Sequence, residues 1–173
     1  MAIIESFSPI TKGTGSPEGK VAAPVGSAYT DTAATNGAIR WIKASGTGNT
    51  GWRVEYGSTG ARDISSMLTD ATGEVTIERI GRVVYLDAKT IKPGETLSSG
   101  STFLESLPTG FRPKSRRDFS INATLSSSTV RSGFQFANGA FGVWSPSIDD
   151  NYRFSHFWIT ANPWPTTLPG TPA

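Results

Sequence analysis

Few side chains in this sequence are able to do acid–base or metal chemistry. The chain has no cysteine and one histidine, His156, among 173 residues. Thiolate chemistry and disulfides are therefore excluded, and a zinc centre of the common kinds would lack ligands. His156 lies in the aromatic run Phe-Ser-His-Phe-Trp with no nucleophile turn beside it. This context favours a structural histidine over a member of a catalytic triad, so we predict no enzymatic activity and no cofactor.

The adjacent carboxylates Asp149 and Asp150 are the one paired acidic motif. They lie in the segment Ser-Pro-Ser-Ile-Asp-Asp-Asn. Two carboxylates can serve a glycosidase, but Asp and Asn in such turns bond their own backbone, which explains them without catalysis. A weak contact with calcium or with a sugar stays open. The run Gly-Thr-Gly-Asn-Thr-Gly at residues 46–51 lacks the Lys-Ser/Thr that completes a phosphate loop.

Aromatic side chains crowd the last third of the chain. On alternating strands most of them belong to the core, but Trp164 stands between two prolines and cannot lie in a sheet interior. It is free to cap the fold, cover a subunit seam or stack on a sugar ring. Apolar ring faces beside Asp and Asn acceptors suit saccharides, so the candidate ligand-binding residues are Trp144, Asp149, Asp150, Tyr152 and Trp164.

The composition indicates strands joined by turns. Serine and threonine make up about a quarter of the chain, with 19 glycines and 11 prolines, while nine Phe, five Trp and four Tyr provide a core. The 16 basic and 14 acidic residues form no dense basic face, which argues against nucleic acid as a partner. No apolar run is long enough for membrane insertion. The start of the sequence lacks a signal-peptide pattern, so we expect folding in the cytoplasm where the chain is made.

Alternation of apolar and polar residues predicts the strands of the C-terminal part. It occurs around Val75 and Ile77, in residues 83–86, in residues 119–125 and in residues 152–160. Strands that recur every eight to fifteen residues, with turn signals between them, indicate an antiparallel β-sandwich of jelly-roll type.

Turn signals add three further expectations. Asn138-Gly139 lies between two alternating aromatic runs and predicts a hairpin with a type I′ turn. Residues 62–68 hint at a helical turn. The proline-rich residues 162–173 are expected to be irregular.

We divide the chain into an N-terminal segment, residues 1–14, a Gly/Thr-rich part, residues 15–58, and a head, residues 59–173. The middle part has few apolar anchors between its Gly, Thr and Asn links. A segment of that size with so small a core is marginal alone. We therefore expect it to gain stability by packing against copies of itself.

Two groups of motifs carry a resemblance. The first comprises Gly-Ser-Pro-Glu-Gly at 15–19, Ala-Pro-Val-Gly-Ser-Ala-Tyr-Thr-Asp-Thr at 23–32 and Trp-Ile-Lys-Ala-Ser-Gly-Thr-Gly-Asn-Thr-Gly-Trp at 41–52. It resembles a module that precedes the terminal domain in bacteriophage tail fibres and minor tail proteins. The second, Leu-Pro-Thr-Gly-Phe-Arg-Pro at 107–113, is similar to a motif of phage receptor-binding tips.

The resemblance implies a homotrimeric tail-fibre or tail-tip protein of the virion, made in the host cytoplasm. Its β-rich head would bind a host cell-surface glycan, and residues 1–14 would dock on other tail proteins. Residues 15–58 would form a β collar in which three intertwined chains share Ile39, Trp41, Ile42 and Trp52. Two alternatives stay open, a purely structural tail or capsid decoration protein and a glycan depolymerase. Only fourteen residues precede the module, whereas in the family it commonly follows a long shaft.

Overall fold

A computed structural model describes residues 10–94, 100–124, 128–144, 146–147 and 149–173. Strands account for 51% of the structure and helices for 6%, which confirms the predicted all-β class. The chain divides into two compact units, Met1–Ser58 and Thr59–Ala173. The second unit spans the residues that we predicted to form the head.

The first unit is built on a four-stranded sheet. Its strands are β1 (Ile10–Gly13), β2 (Ala28–Asp31), β3 (Ala38–Lys43) and β4 (Trp52–Gly57), in that spatial order. β1 runs parallel to β2, and the other neighbours are antiparallel. Residues 10–13 pair with β2, so this part of the predicted N-terminal segment 1–14 joins the sheet of the first unit. The rest of the predicted segment, residues 1–9, lies outside the described residues.

A buried carboxylate holds the turns of this first unit. The Asp31 side chain is 2% exposed and accepts hydrogen bonds from the backbone N–H groups of Gly15, Ala33 and Thr35 at 2.8–2.9 Å. Burial alone would raise the pKa of Asp31, but these donors outweigh it and the pKa lies below its ordinary value. The charged form of Asp31 is therefore the one that the fold stabilises.

The head is one antiparallel sheet of nine strands. In chain order these are β5 (Arg62–Asp63), β6 (Ala71–Ile80), β7 (Val83–Pro93), β8 (Thr102–Ser106), β9 (Arg117–Thr124), β10 (Ser128–Gln135), β11 (Gly139–Val143), β12 (Asn151–Ile159) and β13 (Thr171–Pro172). The spatial order is β13-β5-β6-β7-β12-β9-β10-β11-β8. The predicted strands around Val75, at 83–86, at 119–124 and at 152–159 all belong to it; Leu125 lies outside the described residues.

The sheet curls so that its edge strand β8 meets the segment that precedes β6. Leu68, which precedes β6, forms an antiparallel bridge with Leu104 of β8, and the Thr69 N–H donates to the Phe103 carbonyl at 2.8 Å. The curl encloses a single apolar core with residues from both halves of the sheet, in the manner of a sandwich. Its largest fully buried side chains include Trp158, Tyr152, Phe103 and Phe111.

Two turns of the head differ in detail from the expectation. Asn138 keeps a negative φ, and only Gly139 is left-handed, at 89°. The Gly139 N–H donates to the Phe136 carbonyl at 2.9 Å, so the hairpin has a three-residue loop with glycine at the left-handed position and not a type I′ turn. The predicted helical turn is present as a 3₁₀ turn at Ser65–Met67. Residues 162–173 are irregular except for β13, which pairs with β5.

Candidate ligand-binding surface

An exposed group of aromatic and charged side chains lies at the β10–β11 end of the head. Trp144 directly follows β11 and is 39% exposed, and Phe136 directly follows β10 and is 38% exposed. Both rings pack on the buried ring of Phe134, with centroids 4.8 and 5.2 Å away. The hairpin therefore carries two aromatic side chains on a shared buried support.

Arg116, which directly precedes β9, completes this group. Its guanidinium carbon lies 5.7 Å from the ring centroid of Phe136 and 5.5 Å from that of Trp144. The guanidinium is oriented by Asp118, whose Oδ1 lies 3.1 Å from Nη2. We call Trp144, Phe136, Arg116 and Asp118 the aromatic platform. It presents apolar ring surface beside a planar donor and a carboxylate acceptor, a combination that can contact both the C–H face and the hydroxyls of a sugar ring.

Tyr152 and Asp150 are structural and face inward. Tyr152 is fully buried, 5.6 Å from Phe103 between ring centroids, and its hydroxyl donates to Asp150 Oδ2 at 3.2 Å. Asp150 is 6% exposed and also pairs with Arg131 at 3.3 Å. Burial, and then the Asp150 carboxylate, raise the pKa of Tyr152. The prediction that Tyr152 and Asp150 contact a ligand is therefore corrected. Their polar atoms already bond to each other and, for Asp150, to Arg131. Asp149 is exposed in the turn.

Trp164 is likewise packed into the head. It is 8% exposed, and the guanidinium carbon of Arg79 lies 4.8 Å from its ring centroid. The indole thus caps the fold, one of the three roles that its proline neighbours left open, and offers almost no surface for stacking on a sugar. It also lines an open groove of about 410 Å³ between Pro108–Gly110 and Pro163–Thr167.

Trp41 and Trp52, two of the four residues expected at a trimer interface, are only 5% exposed within the single chain. The Trp52 ring packs edge-on against Tyr29 at 6.1 Å, and its Nε1 donates to the Val21 carbonyl at 2.8 Å. These two rings therefore leave little surface for a neighbouring copy of the chain. Ile42 is partly buried, and Ile39 is 39% exposed.

The motif at 41–52 is explained by how the first unit folds. Lys43 is fully buried, and its ammonium donates to the carbonyls of Gly48 and Thr50 in the glycine-rich loop. The Glu18 carboxylate accepts from the N–H of Trp52 at 2.7 Å, which ties the Pro-Glu-Gly motif to the same loop. A core-poor sequence is thus stabilised by buried polar contacts that its apolar content does not reveal.

The motif at 107–113 has a comparable structural role in the head. Its 3₁₀ turn, Thr109–Phe111, places the Phe111 carbonyl 2.8 Å from Trp158 Nε1 and the Gly110 carbonyl 2.6 Å from Arg79 Nη1. A Cβ on Gly110 would lie 2.8 Å from Pro165. The turn therefore anchors the segment around Trp164 to the core.

His156 belongs to an aromatic stack. Its ring lies 4.3 Å from Phe119 and 5.6 Å from Trp158, centroid to centroid. Burial, and then the positive charge of Arg117, lower the pKa of His156. This environment favours the neutral form of the imidazole.

Within the described residues, no three His, Asp or Glu side chains cluster as metal ligands would. In the same part of the chain, no helix has the length and apolar content needed to cross a membrane. No protein-family model matches the chain, and a comparison with curated proteins finds no similar sequence.

The sequence pointed to one member of the platform, Trp144, and missed its three partners. In the sequence, Phe136 has the pattern of an ordinary strand residue. Arg116 lies in the short basic run Lys-Ser-Arg-Arg at 114–117, a pattern typical of solvated residues. The signal that could have found Phe136 is the strand alternation, because Phe134 and Phe136 lie two residues apart on one face and the hairpin register places Trp144 opposite Ser132 on that same face.

Proposed function

We propose that this chain is a phage tail-fibre or tail-tip protein that binds a host cell-surface glycan through the aromatic platform. The proposal combines the motif resemblance, which suggests a homotrimeric virion protein, with one structural observation. That observation is the exposed pair Trp144 and Phe136 with Arg116 lying over both rings.

The platform has the features of an oriented recognition surface. Arg116 pairs with Asp118 and lies over two rings, and these contacts favour one region for its guanidinium before a ligand arrives, which lowers the ordering cost of binding. The site is small and exposed, which is consistent with weak binding at each copy. Three copies in a trimer, and many on a virion, would multiply that affinity.

An array of immobilised bacterial cell-wall polysaccharides tests the proposal. The fluorescently labelled protein should bind at least one polysaccharide, and Trp144→Ala should weaken that binding at least about tenfold because the larger ring face is lost. Tyr56→Ala is the matched control, since Tyr56 is an aromatic of the first unit that is 66% exposed. Equal binding by both variants would place the site elsewhere on the chain.

A purely structural role in the virion is the second candidate. The observation that favours it is that Glu18, Lys43 and Gly110, all within the motifs, have roles inside the fold. Absence of binding to every polysaccharide and to susceptible cells, together with unstable particles when the protein is missing, would favour this candidate over receptor binding. Attachment to other tail proteins through residues 1–14 is common to both candidates.

A further inference from the structure

A contiguous apolar patch lies on the outer face of strands β6, β7 and β12. Phe157 pairs with Tyr85, and Ile159 pairs with Val83, which in turn pairs with Ile80. The rings of Phe157 and Tyr85 are 6.3 Å apart between centroids. Exposure is 67% for Phe157, 54% for Ile159, 48% for Tyr85 and 47% for Ile80, and Val83 is partly buried. We call these five residues the outer patch.

The fold does not need apolar residues at these positions. The alternate residues of the same strands, Val84, Leu86 and Trp158, face the core and are at most 2% exposed. Farther along the same outer face, the pair opposite each other on β7 and β12 is polar, Asp87 with Ser155, joined by a hydrogen bond. An exposed sheet face is normally polar throughout, so the patch is a local departure that requires a separate explanation.

The area of the patch fits a protein–protein contact. Taking about 200 Å² for each large apolar side chain, the four exposed ones present about 400 Å², the size of the largest and often functional patches on monomers. With a rim of polar residues around it, such a centre approaches the roughly 800 Å² that each partner contributes to a standard interface.

The charges around the patch indicate what would cover it. Both signs are present among the solvent-accessible residues of these strands and of the turn between β6 and β7, and they nearly balance: Glu74, Glu78 and Asp87 against Arg82, Lys89, Lys92 and Arg153. Glu74 and Lys89 already pair at 3.1 Å. A rim of mixed sign and small net charge repels a copy of itself only weakly, whereas a strongly acidic or basic partner would find no strong complementary field.

We propose that the outer patch is where copies of this chain associate, each patch covered by the patches of its neighbours around a symmetry axis. The proposal moves the self-association surface from Trp41 and Trp52 to the head. It rests on the homo-oligomeric part of the proposed function and needs no glycan binding.

Light scattering on the full-length protein is the first test. We expect a native mass of more than one 18.4 kDa chain, about 55 kDa for a trimer. Phe157→Glu should weaken association about 30-fold or more, because it places like charges together in an apolar contact. Phe157 points away from the core, so circular dichroism of the variant should match the parent. A monomeric parent at all concentrations would overturn the proposal.

A single introduced cysteine locates the contact directly, because the chain has none of its own. Under mild oxidation, Phe157→Cys should form disulfide-linked dimers much faster than Tyr56→Cys, a matched control at 66% exposure against 67%. Equal rates in the two variants, or an oligomer that Phe157→Glu leaves intact, would overturn the assignment of the outer patch while leaving a trimer elsewhere possible. Polysaccharide binding is measured separately, so failure of the platform and failure of the patch give different results.

Discussion

Replacing Arg79 by methionine should destabilise the head more than any surface substitution. Arg79 is 4% exposed, and its guanidinium donates to four carbonyls. The acceptors and N···O distances are Gly81 at 2.9 Å, Gly110 at 2.6 Å, Pro163 at 2.7 Å and Asn162 at 3.1 Å. The guanidinium also lies on the Trp164 ring. Burial, and then the neighbouring Arg82, lower the pKa of Arg79 to about 10, so it stays charged at neutral pH.

The size of the effect follows from what each carbonyl loses. The Gly110 carbonyl belongs to a buried residue and would be left without its donor, which costs about 1–3 kcal/mol. The carbonyls of Gly81, Asn162 and Pro163 belong to less buried residues that water can reach, so each contributes about 0.5 kcal/mol. Loss of the cation–π contact adds about 1 kcal/mol. Removing the desolvation penalty of the buried charge offsets part of this, and we expect a net loss of about 3 kcal/mol.

Urea unfolding followed by tryptophan fluorescence measures this loss, and thermal melting should fall by about 10 °C. Arg79→Lys keeps a charge with three donors but not the planar fork, so it should recover about half of the stability. Arg82→Met is the control: Arg82 is exposed and near in sequence, and the substitution should change the free energy of unfolding by less than about 0.5 kcal/mol. If the free energy of unfolding of Arg79→Met also stays within about 0.5 kcal/mol of the parent, the hydrogen bonds from Arg79 to the four carbonyls do not stabilise the head and the reasoning is refuted.

Two pH-linked predictions follow from the buried titratable groups. Since the pKa of His156 is lowered on folding, the unfolded chain takes up a proton first, and the head should lose stability as pH falls below 6.5; His156→Phe should flatten this dependence in urea unfolding between pH 7.5 and 5.5. Since the pKa of Asp31 is also lowered, its contribution is present above its unfolded value of 3.8 and is lost as pH falls through the folded value. Asp31→Asn should therefore cost the first unit about 2 kcal/mol at pH 7, and the difference between variant and parent should shrink below pH 4 in fluorescence-detected unfolding; a constant difference would contradict the assigned role of the carboxylate.

Strands with clean alternation could be read from the sequence because their pattern reports the two faces directly. β6, β9 and β12 have such patterns. β8 contains only the adjacent Phe103 and Leu104 as large apolar residues, and it is a strand because β11 and Leu68 pair with it. A local sequence pattern does not predict a strand that forms because residues distant in sequence pair with it.

The contacts of the charged side chains were the hardest part of the structure to predict from the sequence. The burial of Lys43 and Asp31 depends on backbone groups that the chain supplies from loops, so a count of apolar residues does not include these contacts of the first unit. Likewise, Arg79 and Arg116 look like ordinary surface arginines in the sequence. Only the assembled sheet shows that the first is enclosed and that the second lies over two rings.

The closure of the head also sets the order in which it can fold. β6 and β7 form a hairpin between strands that are adjacent in the sequence. The other neighbour of β7 is β12, which comes much later in the chain and places Tyr152 opposite Ile91. Arg62 Nη2 reaches the Gly170 carbonyl across 108 positions of chain. Pairings between residues so far apart in sequence form late, because closing a long loop costs conformational entropy before the contacts that offset this cost have formed. During synthesis on the ribosome the hairpin therefore emerges with its core face uncovered, and the head reaches its native form only after β12 and the segment around Trp164 have been released.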